Sequence, residues 1–321
     1  MGVFVFLPLV LPLTALPIAR LAGQHLHPRS TTRLLTALSV VLGVCSTLCL
    51  GLLVVVGTAQ LPGNPLPDGW SDPEVRAAVP IAEVAGTAAI AALAAVLATC
   101  GAELRRHHRV RSRTHRALDG LPGGTELAVL PDDAPYAYAV PGLPGRPGRA
   151  ARPGRIAVSR GMLRSLDSDE RRALFAHERA HLAERHHRFL LAVRLAGCAN
   201  PLLLPLRAAV AFSAERWADE EAARTVGDRR LTARAVGKAA LISRPAPSPL
   251  LAGFADPEPG PVPRRVAALL GPVPPARSWP PALTPAGLAA LVAAAGTAAS
   301  ALSSLNAAIA LFLVLKAATP L

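Results

Sequence analysis

The chain has 321 residues, 51% of them hydrophobic, with a mean hydropathy of +0.37 and a formal net charge of +13. This length and hydrophobicity allow several membrane spans beside one soluble unit of modest size. Most of the positive excess lies in loops that flank apolar segments, where attraction to anionic lipid accounts for it, so nucleic acid is not an expected partner. The sequence also lacks a C-x-x-C pair, a phosphate-binding loop and a nucleophile elbow, which excludes several other classes of enzyme.

Four apolar segments are long enough to cross about 30 Å of hydrocarbon, and they cover residues 3–18, 34–59, 81–102 and 288–315. The first segment is the shortest and contains three prolines, so a cleaved signal peptide is its alternative interpretation. Its charges follow the apolar run instead of preceding it, which favours an uncleaved span with the N-terminus outside.

The charges of the connecting loops orient these spans. The loop after the first span carries arginine without any acid, and the segment 105–116 after the third span is dense in arginine and histidine. The loop 60–80 carries three acids against one arginine. By the positive-inside rule the arginine-rich loops are cytoplasmic, and so is the whole region 103–285. The sequence therefore predicts a multi-pass protein of the inner (plasma) membrane.

A small sheet and a helix are predicted after the third span. Arg155–Ser159 has the alternation and the β-branched content of a strand, and residues 136–140 are its expected partner. Asp167 followed by Glu170 has the pattern of a capping box, which begins a helix. A sheet that lies over this helix would offer an edge to an extended substrate.

The predicted helix contains an H-E-x-x-H motif at His177, Glu178 and His181. Two histidines four residues apart lie on one helix face, so both imidazoles can bind one zinc ion while Glu178 acts on the water beside it. A random chain of this composition shows the motif in about one case in a hundred. The alternative is a solvated helix face, since charged residues such as Arg172 and Arg179 share the same helix. The motif predicts a zinc-dependent peptidase.

A catalytic zinc site needs a third protein ligand and one open position. Glu215 and Asp219 are also four residues apart on a predicted helix, although an acidic helix surface is the alternative interpretation. We interpret Glu215 as the third ligand and Asp219 as the acceptor for the far N–H of a zinc-bound histidine. This assignment requires the apolar stretch 189–212 to turn back, as two helices broken near Asn200-Pro201 and packed in the core or at the membrane interface, because a membrane crossing would separate His177 from Glu215.

The segments H-E-R-A-H and E-R-W-A-D, with the strand segments A-Y-A-V-P and I-A-V-S-R-G-M-L, resemble the BlaR/MecR-type gluzincins, which are bacterial integral-membrane zinc peptidases. The resemblance implies that His177, His181 and Glu215 bind zinc, that Glu178 is the base and that Asp219 supports a ligand. It also implies cleavage of a cytoplasmic or membrane-proximal protein, such as a transcriptional repressor or an anti-sigma factor. The sensor members continue into an extracellular penicillin-binding domain that this sequence does not include, so β-lactam sensing by that route is not expected.

Two features stay open at this point. The group that stabilises the oxyanion is one of His186, His187, Tyr136, Tyr138 or an arginine. The segment 263–270 has the pattern of a short amphipathic helix, which in the related peptidases docks on the catalytic unit and which is otherwise a basic linker into the last span.

The predicted fold is a mainly α membrane protein with about four transmembrane helices and a cytoplasmic α+β gluzincin-type peptidase domain inserted before the last span. The predicted function is zinc-dependent endoproteolysis, with Zn2+ as cofactor and with the lipid bilayer and a protein or peptide substrate as partners. The alternative is a catalytically inactive scaffold or signalling protein on the same fold, and the oligomeric state does not follow from the sequence. The predicted divisions are a membrane domain 1–103, a peptidase domain 104–243, a proline-rich linker 244–285 and a C-terminal span 286–321.

Overall fold

The fold is mainly helical, with one three-stranded sheet among the residues that the structure describes. The structure is a computed structural model, and it describes residues 2–59, 70, 82–119, 126–145, 151–243, 262–276 and 279–317. The strands are β1 (Leu127–Leu130), β2 (Ala137–Val140) and β3 (Arg155–Ser159). The helices are α1 (Leu7–Val10), α2 (Leu16–His25), α3 (Pro28–Ala59), α4 (Ala82–Leu118), α5 (Arg160–Ser165), α6 (Ser168–Ala183), α7 (His186–Ala199), α8 (Leu204–Val226), α9 (Arg229–Ile242), α10 (Val262–Leu270) and α11 (Pro285–Ala317).

Among the described residues, three helices are long and apolar enough to cross a membrane, namely α3, the Val84–Leu118 part of α4, and α11. They occur where the second, third and fourth spans are predicted. The first predicted span is instead a series of short helical pieces, in which the apolar part Leu7–Gly23 is shorter than the three long helices. A proline occupies the first or second position of three of these pieces. Because proline lacks an N–H, it cannot continue the hydrogen bonds of the preceding helical turn, and a new piece begins there. The predicted count of four spans is therefore not confirmed.

Small residues let the membrane helices approach closely. A Cβ on Gly57 of α3 would lie 2.5 Å from the Cα of Gly86 in α4, so the two backbones touch at this point. A Cβ on Gly296 of α11 would likewise collide with the side chain of Thr14, so Thr14 packs directly on the backbone of α11. Gly296 and the buried Ser300, a small-xxx-small pair in the sequence, therefore face the interior of this chain.

The apolar stretch 189–212 turns back, as the metal hypothesis requires. Helix α7 ends before Asn200, which has an extended backbone, and α8 begins after a short 3-10 turn. The Asn200 amide donates to the Leu9 carbonyl at 2.9 Å and to the Ser46 hydroxyl at 3.0 Å, and its oxygen accepts from the Leu202 N–H at 3.0 Å. Because Ser46 lies near the middle of α3, the tip of this helical hairpin reaches the middle of the membrane region.

Helices α7 and α8 pack directly against the membrane helices. Val193 of α7 and Val210 of α8 share one buried apolar cluster with residues of α2, α3 and α11. Gly43 of α3 permits the close approach, because a Cβ there would lie 3.3 Å from the Cα of Ala196 in α7. Helices α7 and α8 thus share a core with the candidate membrane helices, and the predicted boundary at residue 103 falls inside the continuous helix α4. The division into domains stays a prediction.

The central strand of the sheet is β3. Strand β2 pairs with it in antiparallel fashion, with Ala139 opposite Ile156, which confirms the predicted pairing. Strand β1, which the sequence analysis does not predict, pairs with the other side of β3 in parallel, with Ala128 opposite Ala157. Since β2 is an edge strand that contacts α6, the sheet lies beside the helix that carries H-E-x-x-H.

The region before the last span is described only in part. Residues 244–261 and 277–278, which belong to the predicted proline-rich linker, lie outside the described residues. Helix α10 occurs where a short amphipathic helix is predicted, and it packs on α8 and α9. Of the two interpretations of this segment, the structure favours docking on the catalytic unit.

Candidate metal centre

Local signals in the sequence begin helix α6. The Asp167 carboxylate accepts from the Glu170 N–H at 2.8 Å, and the Glu170 carboxylate accepts from the Asp167 N–H at 3.0 Å. Glu170 is buried and also accepts from Lys238 and Arg234 of α9, at 2.7 and 3.2 Å. The predicted capping box is therefore confirmed, and it ties the start of α6 to α9.

His177, Glu178 and His181 line one cavity of about 370 Å³. Nε2 of His177 and Nε2 of His181 lie 3.1 Å apart. Glu215 reaches them from α8, with carboxylate oxygens 3.6 Å from Nε2 of His177 and 3.3 Å from Nε2 of His181. One ligand atom from each of these three residues thus lies within 4.8 Å of the other two.

These separations fit a bound metal ion. Donor atoms that lie about 2.0–2.1 Å from a tetrahedrally coordinated ion are about 3.3–3.4 Å from one another. The two ring nitrogens are 3.1 Å apart, and the Glu215 carboxylate approaches them with different oxygens, Oε1 at 3.3 Å from His181 and Oε2 at 3.6 Å from His177, so the closest donor separations lie near this value. Two imidazoles and one carboxylate are also the donor set of a catalytic site that leaves its fourth position to water or substrate. The group formed by His177, His181 and Glu215 can therefore hold a divalent ion.

Asp219 and Arg265 lie behind the three donors. Oδ1 of Asp219 is 3.1 Å from Nδ1 of His177, the ring nitrogen that does not face the other donors. Arg265 of α10 donates to the two Asp219 oxygens at 2.6 and 2.7 Å and lies 2.8 Å from a Glu215 oxygen. Asp219 and Arg265 are both buried. One guanidinium thus holds two carboxylates of α8, a role that the sequence reasoning missed, although the arginines of the amphipathic pattern at 263–270 were a signal for it.

His186 supports the other histidine of the motif. Its Nδ1 lies 2.9 Å from Nδ1 of His181, and its ring packs on Trp217 with 4.6 Å between the ring centroids. Arg29 and Arg33, at the start of α3, lie over the same Trp217 ring at 5.5 and 5.4 Å. Contacts through the rings of His186 and Trp217 therefore connect helix α6 to the two arginines at the start of α3.

The ionisable groups of the cluster hold one another in defined charge states. Burial lowers the pKa of His177, but the carboxylates of Asp219 and Glu215 outweigh burial and raise that pKa to about 10. Burial lowers the pKa of His181 to about 4. Burial also acts to raise the pKa of Glu215 and of Asp219, but Arg265 outweighs it and holds both below their usual range. Both carboxylates are therefore ionised.

For Glu178, the nearby charges and hydrogen bonds do not offset the effect of burial on the pKa. Its side chain is buried beside β2, where the Ala139 N–H donates to its carboxylate. Burial raises the pKa of Glu178 to about 7, which suits a group that takes up and releases a proton near neutral pH. The structure thus places the predicted base in the same cavity as the three donors.

The four residues that the sequence analysis suggests for stabilising the oxyanion differ in their position relative to the cavity. Tyr138 and His187 line the cavity that contains the metal ligands. Tyr136 is buried, and its hydroxyl donates to Asp132. His186 also borders the cavity, but its Nδ1 faces His181. Tyr138 and His187 are therefore better positioned for an oxyanion role than Tyr136 and His186.

A family model of peptidase family M48 matches residues 104–199 of the chain. No curated protein and no solved structure matches it. The matched range contains the sheet and the H-E-x-x-H helix, but it ends before Glu215 and covers less than half of the chain. The match supports a metallopeptidase of family M48, while the narrower likeness to the BlaR/MecR-type peptidases stays a prediction.

Proposed function

We propose that this protein is an integral-membrane zinc metalloendopeptidase. In this proposal His177, His181 and Glu215 bind Zn2+, Glu178 is the general base, and Asp219 orients His177. The observation that carries it is the set of donor separations, 3.1 to 3.6 Å, among the two imidazoles and the Glu215 carboxylate. Zinc is the expected ion because it accepts two imidazoles and one carboxylate in a tetrahedral site, whereas magnesium and calcium prefer oxygen ligands.

In this proposal each residue of the candidate site has its own role in peptide hydrolysis. When bound, zinc would polarise the peptide carbonyl and lower the pKa of water at the open position. Glu178 takes a proton from the attacking water and later passes it to the leaving amine. Asp219, with Oδ1 3.1 Å from Nδ1 of His177, would orient that ring and leave Nε2 to bind the metal, and His186 would support His181 in a similar way through its Nδ1.

The proposed substrate is a protein segment that reaches the cytoplasmic face of the membrane. An extended peptide can add to the free edge of β2 beside Glu178. Arg33 at the start of α3 lies 4.0 Å from Glu184, and His115 near the end of α4 is 2.8 Å from the Pro141 carbonyl. The basic ends of two membrane helices thus adjoin the peptidase elements, which supports a cytoplasmic site whether or not the first apolar segment spans the membrane.

Metal analysis of the purified protein tests the ligand assignment. We expect about one zinc ion per chain in the wild type and a large loss of zinc affinity in Glu215→Gln. Glu221→Gln is a matched control, because Glu221 is on the same helix, pairs with Arg224 and borders neither cavity of the site region. Undiminished affinity in Glu215→Gln would refute the third ligand, and a wild type that binds no zinc would refute the metal centre.

Hydrolysis of peptide libraries tests the activity. The Glu178→Gln variant keeps the size of the side chain, so we expect it to retain zinc and to lose cleavage. Zinc binding without any hydrolysis in the wild type would favour the alternative, an inactive scaffold or signalling protein. Cleavage of a repressor or an anti-sigma factor rests on the family resemblance alone. Substrates trapped by Glu178→Gln in the native host would identify the natural target.

A further inference from the structure

A second cavity, of about 620 Å³, adjoins the candidate metal centre. The two cavities share Pro141, Leu182 and His187 in their linings, so they are neighbours along one wall. The second cavity lies where β2 ends and the chain continues through residues 141–144. A peptide that extends along β2 beside Glu178 would therefore pass from the first cavity to the second.

The lining of the second cavity is strongly basic. It contains four arginines from three helices and the turn between two of them, but only one acid. The acid, Glu126, pairs with Arg179 at 2.8 Å, so this arginine is already compensated. Within the described part of the chain, no carboxylate forms an ion pair with Arg111, Arg185 or Arg188. Three arginines thus line one cavity without a paired carboxylate among the described residues.

Packing keeps these cations at the end of β2. Nε of Arg111 in α4 donates to the Pro141 carbonyl at 3.4 Å. Arg185 has a φ of 55°, and this left-handed residue makes the sharp turn between α6 and α7. Burial, together with the charges of Arg111 and its neighbours, lowers the pKa of His187 to about 4, so the ring is neutral at physiological pH. Like charges around one cavity repel one another, and a bound anion relieves the repulsion.

We propose that this cavity, defined by Arg111, Arg185 and Arg188, is a substrate subsite for a carboxylate side chain. The peptidase then prefers substrates with aspartate or glutamate on one side of the scissile bond. This inference rests on the proposed function, since it assigns a specificity to the same site. Guanidinium groups match the planar geometry of carboxylates, and the subsite adjoins only one end of the β2 edge, which confines the preference to one side.

An anionic lipid headgroup is the competing occupant, and the position of the cavity beside the candidate metal centre favours a peptide. The cavity shares part of its lining with the cavity of His177, Glu178 and His181, so a peptide that extends along β2 reaches it. Binding to anionic vesicles distinguishes the two occupants.

Binding to the Glu178→Gln protein in nanodiscs of neutral lipid tests the subsite without turnover. The probes are degenerate peptide libraries in which one position at a time is fixed as Glu or as its neutral counterpart Gln. We expect positions on one side of the peptide at which Glu binds about tenfold more tightly than Gln, with a preference that weakens as salt rises. The additional exchange Arg185→Glu with Arg188→Glu should abolish or invert the preference. Arg230→Glu, at an exposed arginine of α9 that borders neither cavity, is the matched control and should keep it.

Cleavage of the same libraries by the protein with Glu178 separates the two proposals. Cleavage without any acid preference, or with a preference that the double exchange leaves unchanged, overturns the subsite and leaves the peptidase. Acid-selective binding that the double exchange abolishes, together with an absence of cleavage, overturns the peptidase and leaves the subsite. If the double exchange does not fold, Arg188→Glu alone carries the test. If the libraries show no preference and the variant instead loses sedimentation with phosphatidylserine vesicles, the cavity binds lipid and the subsite is wrong.

Discussion

The two ends of the helical hairpin formed by α7 and α8 handle buried polar groups in opposite ways. At the open end, several ionisable groups lie together, and Glu215 and Asp219 are both held by Arg265. At the closed end, Asn200 is a single neutral group among membrane helices, and hydrogen bonds to Leu9, Ser46 and Leu202 satisfy its amide.

The difference follows from what each end must do. Ions are costly to bury, so a cluster of them needs close pairing, and such clusters are typical of sites that bind metal or move protons. A helix end in a region without water needs partners for its free backbone groups, and one amide side chain can supply them. Substitutions at the two ends should therefore have separable effects on zinc binding and on stability.

The largest effect is expected from Asp219→Leu. It leaves the Arg265 guanidinium buried with one of its two carboxylate partners removed, which should lower the free energy of unfolding by about 3–5 kcal/mol. Thermal and chemical unfolding in detergent measure the loss. Adding Arg265→Leu should not restore the wild-type stability, because Glu215 then loses its guanidinium partner. Glu221→Leu, which removes a more exposed partner of Arg224, is the control, and an equally small change in Asp219→Leu would contradict the prediction.

The next effect is expected from His186→Leu at the open end. Loss of the support for His181 should weaken zinc binding by about 10–100-fold, which chelator competition measures. His186→Asn keeps a hydrogen-bond acceptor and should recover part of the affinity. Equal zinc affinity in His186→Leu and wild type would show that His186 does not position the ligand.

At the closed end, Asn200→Leu should cost about 2 kcal/mol of stability, because the Leu202 N–H and the Leu9 carbonyl lose their partner in an apolar region. Zinc affinity should stay at the wild-type value, since Asn200 has no contact with the metal ligands. Unfolding in detergent and chelator competition on the same samples measure both quantities. A parallel loss of zinc would mean that the two ends are coupled and that the comparison fails.

The smallest effect is expected from Glu170→Gln and depends on pH. Burial acts to raise the pKa of Glu170, but Lys238 and the Asp167 N–H outweigh it and lower the pKa below its ordinary value. A lowered carboxyl pKa stabilises the fold above that ordinary value, and the contribution is lost as pH falls through the pKa of the folded state. Glu170→Gln should therefore be less stable by about 1 kcal/mol at pH 7 and should approach the wild type as pH falls through the lowered pKa of Glu170. A difference that does not change with pH would exclude this ion pair as its cause.

Local patterns predicted much of the candidate site. The capping box, the two histidines on one face of α6 and the pairing of β2 with β3 all depend on residues that are near one another in sequence. The turn at Asn200 was predicted by a different route, since a zinc ion shared by His177 and Glu215 excludes a membrane crossing between them. A chemical requirement thus corrected an ambiguous hydropathy pattern.

Contacts between distant segments were harder to predict. Arg265 and Asp219 are 46 positions apart, and the sequence around either residue does not indicate that the two form an ion pair. Strand β1 is short and does not alternate strictly between apolar and polar residues, so its sequence did not indicate a strand. It pairs with β3 in parallel, and no tight turn between the two strands marked this pairing in the sequence. In the first apolar segment, prolines divided a stretch that hydropathy alone favours as a continuous span.

The sequence by itself determined which residues can share a helix face, which loops are basic and where a helix must break, because periodicity, charge and proline act over a few residues. Only the tertiary structure decided that one arginine of α10 holds two carboxylates of α8, that His186 lies behind His181, and that three unpaired arginines from α4, α7 and the turn before α7 border one cavity. The physical reason is that these groups meet only when helices far apart in the chain pack together, and that packing depends on the whole core.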